Sequence, residues 1–526
     1  MTKKDTKQIS VYDTTLRDGS QAEGISFSCQ DKLAIAVKLD ELGVDYIEGG
    51  FPLSNPKDQE FFDEIKKISL KNSKIAAFGS TRKANTTAEK DVGLKALLST
   101  NTPVVTIVGK SWDFHVTEVL HTTLEENIKM VESSIKYLKS MDKEVIFDAE
   151  HFFDGYKHNP AFAIDVITAA QNAGASTIVL CDTNGGCLPM EIGEITKTAK
   201  KNISITLGIH THNDSDSAVA NTLIAVGYGV KHIQGTINGI GERCGNADLC
   251  SILPNITLKA GYNCIAKAEL KKITEVSRFV YEAANTMPRT NQPFVGKSAF
   301  THKGGLHAHA VKKNHETYEH IAPETVGNER RILISELSGG ASILARAEKH
   351  SLSNDRKLMQ LILKQVQDME NDGYQFESAE GSFALLVKKA AGEHKTFFNL
   401  EEFRVMVEKD NHGELSSEAI VKINVKNNIE FTVGEGDGPI HALDSALRKA
   451  LKDYYPSLAD IRLVDYKVRV INPKGGTAAK VRVVIESCDK NDSWGTVGVS
   501  ENIIDASWQA LVDCIEYKLL KDCKSS

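Results

Sequence analysis

"EVIFDAEHFFDGYKHNPAFAIDVITAAQNAGASTIVLCD", residues 144–182, holds one complete folding unit. Its two ends, EVIFDAE and STIVLCD, are short runs rich in β-branched residues, as buried strands are. Between them NPAFAIDVITAAQNAG (159–174) repeats apolar residues at helical spacing and stops at Gly174, a residue suited to a helix C-terminus. Strand then helix is the repeating unit of an α/β fold.

The same alternation extends in both directions. QISVYD, VDYIEGG, SKIAAFG and PVVTIVG precede the unit, and ITLGIH and KHIQGTI follow it, which makes eight strand candidates. Helical stretches such as 31–42 and 215–229 lie between them and end at Gly43 and Gly229. Eight such pairs within about 260 residues are what a (β/α)8 TIM barrel requires. A doubly wound open sheet is the competing architecture, but no glycine-rich phosphate turn follows the first strand. Barrel enzymes place their chemistry where strands hand over to the following loops. Here those points carry TTLRDG, EHFFDG, DTNGG, HTHND and NGIGERCGN, five polar clusters in register with the barrel pattern.

Composition excludes several classes of function. The chain has 526 residues, 41% hydrophobic and 25% charged, so several packed cores are expected. A net charge of -7, with no basic block, argues against nucleic acid as a partner. No apolar run is long enough to span a membrane and the start lacks a signal core, so a cytoplasmic location is expected. Nine cysteines without a C-x-x-C pair read as reduced, mostly buried thiols.

The parsing is a barrel over 1–270, linker subdomains over 271–395 and a C-terminal α+β regulatory domain over 396–526. The linker contains FTHKGGLHAHAVKKNHETY (300–318) and ELSGGASILARAE (336–348), a region expected to reach a barrel mouth, that of a second subunit included. The last part repeats itself. VGEGDGPIHALDSAL from Val433 matches VGVSENIIDASWQAL from Val497 without gaps, pairing Ile440 with Ile504, Ala442 with Ala506, Ala446 with Ala510 and Leu447 with Leu511. Two pseudo-symmetric βββα units are predicted, against the alternative of two similar turns arising by chance. Each turn is expected to present free backbone N–H groups ahead of a helix, which suits a carboxylate.

HTHND sets His210 and His212 two apart at a strand end, where alternation turns both imidazoles to one side. Two such histidines can share a divalent ion, Zn²⁺, Mn²⁺ or Mg²⁺, with an acid from strand one. If Asp18 is that acid, Arg17 beside it can hold an oxygen of a substrate chelating the same ion; a local salt bridge is the bland alternative.

TTLRDG, HTHND and NGIGERCGN together resemble the family of acetyl-CoA-dependent Claisen enzymes that includes the 2-isopropylmalate and homocitrate synthases. The resemblance covers nearly the whole chain, including GGLHAHA and the duplicated C-terminal domain. It implies that Asp18, His210, His212 and Asn246 bind the metal, that Arg17 polarises a keto oxygen, and that Glu150 and Thr183 line the substrate pocket. It also implies that His307 and Tyr318 arrive from a partner subunit's linker in a homodimer, with His307 and Glu150 as candidates for proton transfer. Asp13 receives no ligand role and is expected to brace the strand-one loop. VGKSWDFHV (108–116) and MENDGYQFESAEGSFALL (369–386) resemble the branch of the family that takes pyruvate as acceptor, with 2-oxoisovalerate as the alternative. Isoleucine is the implied end-product effector. A related lyase would need no second regulatory domain, and a non-catalytic sensor would need a broken metal set.

Overall fold

The computed structural model describes residues 7–302, 307, 310, 311, 313–332, 356–376, 378–471, 479–490 and 492–525. The stretch 336–348 and the glycines of GGLHAHA lie outside the described residues. The chain divides into two compact units, Met1–Phe300 with Ile321–Arg330, and Thr301–His320 with Arg331–Ser526.

In the first unit eight parallel strands close into a barrel in sequence order: β1 Ser10–Asp13, β2 Tyr46–Gly50, β3 Lys74–Ser80, β4 Val104–Lys110, β5 Glu144–Glu150, β6 Thr177–Asp182, β7 Thr206–Thr211 and β8 His232–Gly235. Parallel strands need crossovers, and helices supply them. Cys29–Leu42 starts with a Ser28–Asp31 capping box and ends at left-handed Gly43, and Pro160–Ala173 ends at left-handed Gly174. The barrel interior is filled rather than open. Tyr12, Ala76, Val104, Ile146 and Val179 pack inside it, and the Tyr12, Tyr46 and His232 rings meet at 5.4–5.8 Å.

The second unit holds a short parallel pair, β9 Thr301–His302 with β10 Arg331–Ile332, then helices Arg356–Asn371 and Glu380–Ala390. It continues as two antiparallel sheets, β11 Asn399–Lys409, β12 Leu415–Val425 and β13 Asn428–Gly436, then β14 Arg462–Val470, β15 Val481–Cys488 and β16 Ser493–Ser500. Helix Pro439–Leu451 follows the first sheet and Ile503–Ser525 the second. The βββα repeat is therefore real, and its two copies share details below the level of pattern. Thr432 Oγ1 donates to the Ala446 carbonyl at 2.8 Å, and Thr496 Oγ1 to the Ala510 carbonyl at 2.8 Å. A Cβ on Gly434 would lie 2.6 Å from the Ala442 carbonyl oxygen, and one on Gly498 would lie 2.0 Å from that of Ala506. Each sheet thus admits its helix at a glycine where no side chain fits.

The turns ahead of these helices depart in part from expectation, because several of their N–H groups are engaged. In the second copy Asn502 N–H donates to Ser500 Oγ and Ile504 N–H to Asn502 Oδ1. In the first, Pro439 has no N–H and Asp437 N–H donates to His441 Nδ1. The thiols behave as read: none of the nine cysteines is paired, and six are buried. Among the described residues no helix is long and apolar enough to cross a membrane.

Candidate metal centre

The turn after β1 is tight. Arg17 N–H and Gly19 N–H both donate to the Thr14 carbonyl, at 3.2 and 3.1 Å, and Asp18 lies between them in this turn. Asp13 has the bracing role expected of it. Its carboxylate accepts from Thr15 N–H (2.8 Å) and Thr15 Oγ1 (3.0 Å), and Thr15 Oγ1 accepts from Ile237 N–H (2.9 Å), tying the first loop to the end of the last strand. Burial pushes Asp13 up to about 7.

Asp18, His210 and His212, all buried, bring one ligand atom each within 4.8 Å of one another. His210 Nε2 lies 3.2 Å from Asp18 Oδ2 and 3.3 Å from His212 Nε2. Burial raises Asp18, but the Arg17 guanidinium and His210 outweigh it and hold the carboxyl well below the usual carboxylate range. Burial, then the neighbouring His210, pushes His212 down to about 3. Low proton affinity at a carboxylate and an imidazole leaves lone pairs for a cation.

Asn246 joins His212 through an antiparallel bridge. Gly245 before it has φ +90°, and a Cβ there would lie 2.0 Å from the Gly239 carbonyl oxygen, so the loop needs glycine at this point. The Asn246 amide donates to the Ile240 carbonyl at 3.3 Å, while its Oδ1 is buried without a protein partner. A buried, unpartnered amide oxygen costs free energy that coordination to a cation would offset. Two imidazoles, a carboxylate and that oxygen fit a borderline to hard divalent ion.

Arg17 is clamped. Its Nε donates to Glu48 Oε2 at 2.6 Å, its Nη1 lies 3.4 Å from Asp18 Oδ2, and its Cζ sits 3.8 Å over the Phe78 ring. Tyr12 OH holds the other Glu48 oxygen at 2.8 Å. Glu150, at the end of β5, pairs with Lys110 at the end of β4. Thr183 follows β6; its Oγ1 accepts from His151 N–H at 2.9 Å and its carbonyl accepts from Arg243 Nη2 at 2.8 Å. His307 and Tyr318 belong to the second unit, where both are exposed and their rings stack at 4.0 Å.

Sequence reasoning missed Glu48, Lys110, Asp148, Gln234 and Arg243. Glu48, Asp148 and Gln234 had a signal: each is a polar residue inside a barrel strand, where alternation points it inward. Lys110 and Arg243 had none, since a charged loop residue reads as solvated.

Three family models tile the chain: HMGL-like over 8–280, the post-HMGL domain of homocitrate synthase over 294–373, and the LeuA allosteric (dimerisation) domain over 377–519. An (R)-citramalate synthase of Geobacter sulfurreducens is 55% identical over 516 residues, covering 98% of each chain. One of Aquifex aeolicus is 53% identical, again covering 98% of each. A probable 2-isopropylmalate synthase of Methanosarcina mazei is 31% identical, covering 99% of this chain and 97% of its own. The chain belongs to the HMGL-like family and, within it, to the group whose curated members are named (R)-citramalate synthase.

Proposed function

We propose that the chain is a cytoplasmic, metal-dependent enzyme that condenses acetyl-CoA with pyruvate and, with one water, releases (R)-citramalate and CoA. The observation that carries the reading is the convergence of Asp18, His210 and His212 beside a clamped arginine, in a chain matched end to end by curated (R)-citramalate synthases. These residues and Asn246 would hold a divalent ion, which would supply Lewis acidity at the keto oxygen of a chelating 2-oxo acid and so make the keto carbon electrophilic. Arg17 fixes the acceptor: Glu48 holds its Nε and Asp18 lies beside its Nη1, so the guanidinium meets the substrate's oxygens already oriented. Thr183 Oγ1 accepts from His151 N–H, and its hydroxyl proton is the donor for the substrate carboxylate. The thioester methyl is a weak acid, so its proton needs a positioned base. Glu150 and the partner subunit's His307 share that work, with Tyr318 stacked on the imidazole to set its plane.

The homodimer is supported by the LeuA dimerisation domain and by the outer face of β13, where Ile429, Phe431 and Val433 alternate and stand 43–60% exposed. Residues 396–526 form the effector module, and isoleucine is the effector. Between the two βββα copies lies a cavity of about 410 Å³ with walls from Ile440, Leu463, Ile485 and Leu511, and with Asp444 and Arg448 among its lining residues. A branched aliphatic side chain with two charged groups matches that lining.

A CoA-release assay across a panel of 2-oxo acids tests the reaction. Pyruvate is expected to give the highest kcat/KM. A higher value for 2-oxoisovalerate would make leucine biosynthesis the correct assignment.

A further inference from the structure

The two metal-site histidines are not held alike. His212 Nδ1 is buried without a protein partner, whereas His210 Nδ1 lies 2.9 Å from Gln234 Oε1. Gln234, fully buried on β8, in turn places its Nε2 3.1 Å from Asp148 Oδ1 on β5, and Asp148 is also buried. The side-chain amide has two different ends, and its orientation follows from its neighbours. A carboxylate accepts hydrogen bonds, so the amide nitrogen faces Asp148. The amide oxygen then faces His210, whose Nδ1 must carry the proton. That leaves the lone pair of His210 on Nε2, the atom beside Asp18 and His212.

We infer that Gln234 and Asp148 are positioning residues that fix the tautomer and ring orientation of His210 for metal binding. The relay links Asp148 on β5 through Gln234 on β8 to His210, and neither Asp148 nor Gln234 belongs to the proposed ligand set. It rests on the proposed metal centre at Asp18, His210 and His212. Outer partners of this kind typically change metal affinity by about 10–100-fold when removed. The position also explains a composition that packing alone would not choose: an amide and a carboxyl in the middle of KHIQGTI and EVIFDAE, where apolar side chains would fill the interior without a desolvation cost.

The test is titration of Co²⁺ and Mn²⁺ into metal-free, full-length protein at pH 8, read by calorimetry and, for Co²⁺, by its visible bands, with the Tm of the metal-free protein as a control. Gln234→Met keeps volume and removes both hydrogen bonds; it is expected to bind at least about tenfold more weakly. Gln234→Glu still offers an oxygen to His210 Nδ1–H, sharing a proton with Asp148, and is expected to stay within about threefold of wild type. Wild-type affinity in Gln234→Met, or equal losses in the Met and Glu variants, would overturn the relay. If Gln234→Met does not fold, Asp148→Asn carries the test. Its amide can point either way and no longer dictates the orientation of Gln234, so weaker binding supports the relay and unchanged binding overturns it. His212→Ala separates the two ideas: if it binds metal as wild type does, or if wild type takes up no ion, the metal centre itself fails and the relay with it.

Discussion

The barrel mouth and the C-terminal pair are both built from strand-to-helix turns, yet they treat buried polarity in opposite ways. At the mouth Asp18, Glu48, Asp148, His210, His212, Gln234 and Asn246 are all buried, and no two of them repeat a position along the chain. In the C-terminal pair the sheet face beneath each helix is mostly apolar, with Ser417 and Ser487 buried in it, and one threonine bond recurs in both copies. A group that repeats serves architecture. A buried polar group costs desolvation unless it is partnered, and at the mouth Asn246 Oδ1 and His212 Nδ1 have no protein partner.

The contrast can be broken most sharply at the mouth. If the chemistry resides there, His212→Ala lowers CoA release by about 10³-fold or more and lowers bound metal with it, and chelation of the wild type does the same. Undiminished metal content and activity would remove the mouth from the comparison. Whether one mouth is complete within one chain is the next question. Mixed Arg17→Ala and His307→Ala subunits, each inactive alone, are expected to recover about a quarter of wild-type activity if linkers serve the opposite barrel of a two-fold dimer. No recovery after confirmed subunit exchange would assign each barrel its own linker. The C-terminal pair should carry regulation without chemistry. A chain ending at Lys395 is expected to keep activity while losing an inhibition by isoleucine that corresponds to a coupling of about 1–3 kcal/mol. Calorimetry that finds no isoleucine binding to the full chain would remove that role.

The smallest effect concerns Asp13. Its folded value of about 7 lies above that of an exposed carboxyl, so the fold favours the uncharged form. That contribution is fully present below about pH 4 and is lost as pH rises through about 7. Asp13→Asn should therefore gain a few °C in Tm over wild type near pH 8 and nothing near pH 4. A difference independent of pH would show that Asp13 acts through its hydrogen bonds alone.

The barrel was legible because its strands are buried on both faces, so apolar runs alternate with helical periods and glycine stops. The cluster of Asp18, His210 and His212 was legible because H-x-H at a strand end has few structural uses. Glu48 and Gln234 were not read, since a single polar residue inside a strand looks like weakened pattern until the opposing strand is known. Asp13 shows the converse: close in sequence to Arg17 and Asp18, it bonds Thr15 and stands outside the Asp18–His210–His212 cluster. The GEGDGP and GVSENI turns look alike in sequence, but Pro439 lacks a donor and His441 takes the Asp437 N–H in one, while Asn502 takes the Ile504 N–H in the other.

The clamp on Arg17 bears on how a very small molecule can be held at all. An acceptor of about half a dozen non-hydrogen atoms has a ceiling near 1.5 kcal/mol per atom, while immobilising one long side chain on binding costs about 0.5–1.5 kcal/mol. A free arginine would consume a noticeable fraction of that affinity on becoming ordered. Between Glu48 and the Phe78 ring, Arg17 has already surrendered its rotamers during folding. The entropy loss falls on the stability of a large barrel, which can bear it, and not on the binding of a three-carbon acid, which cannot.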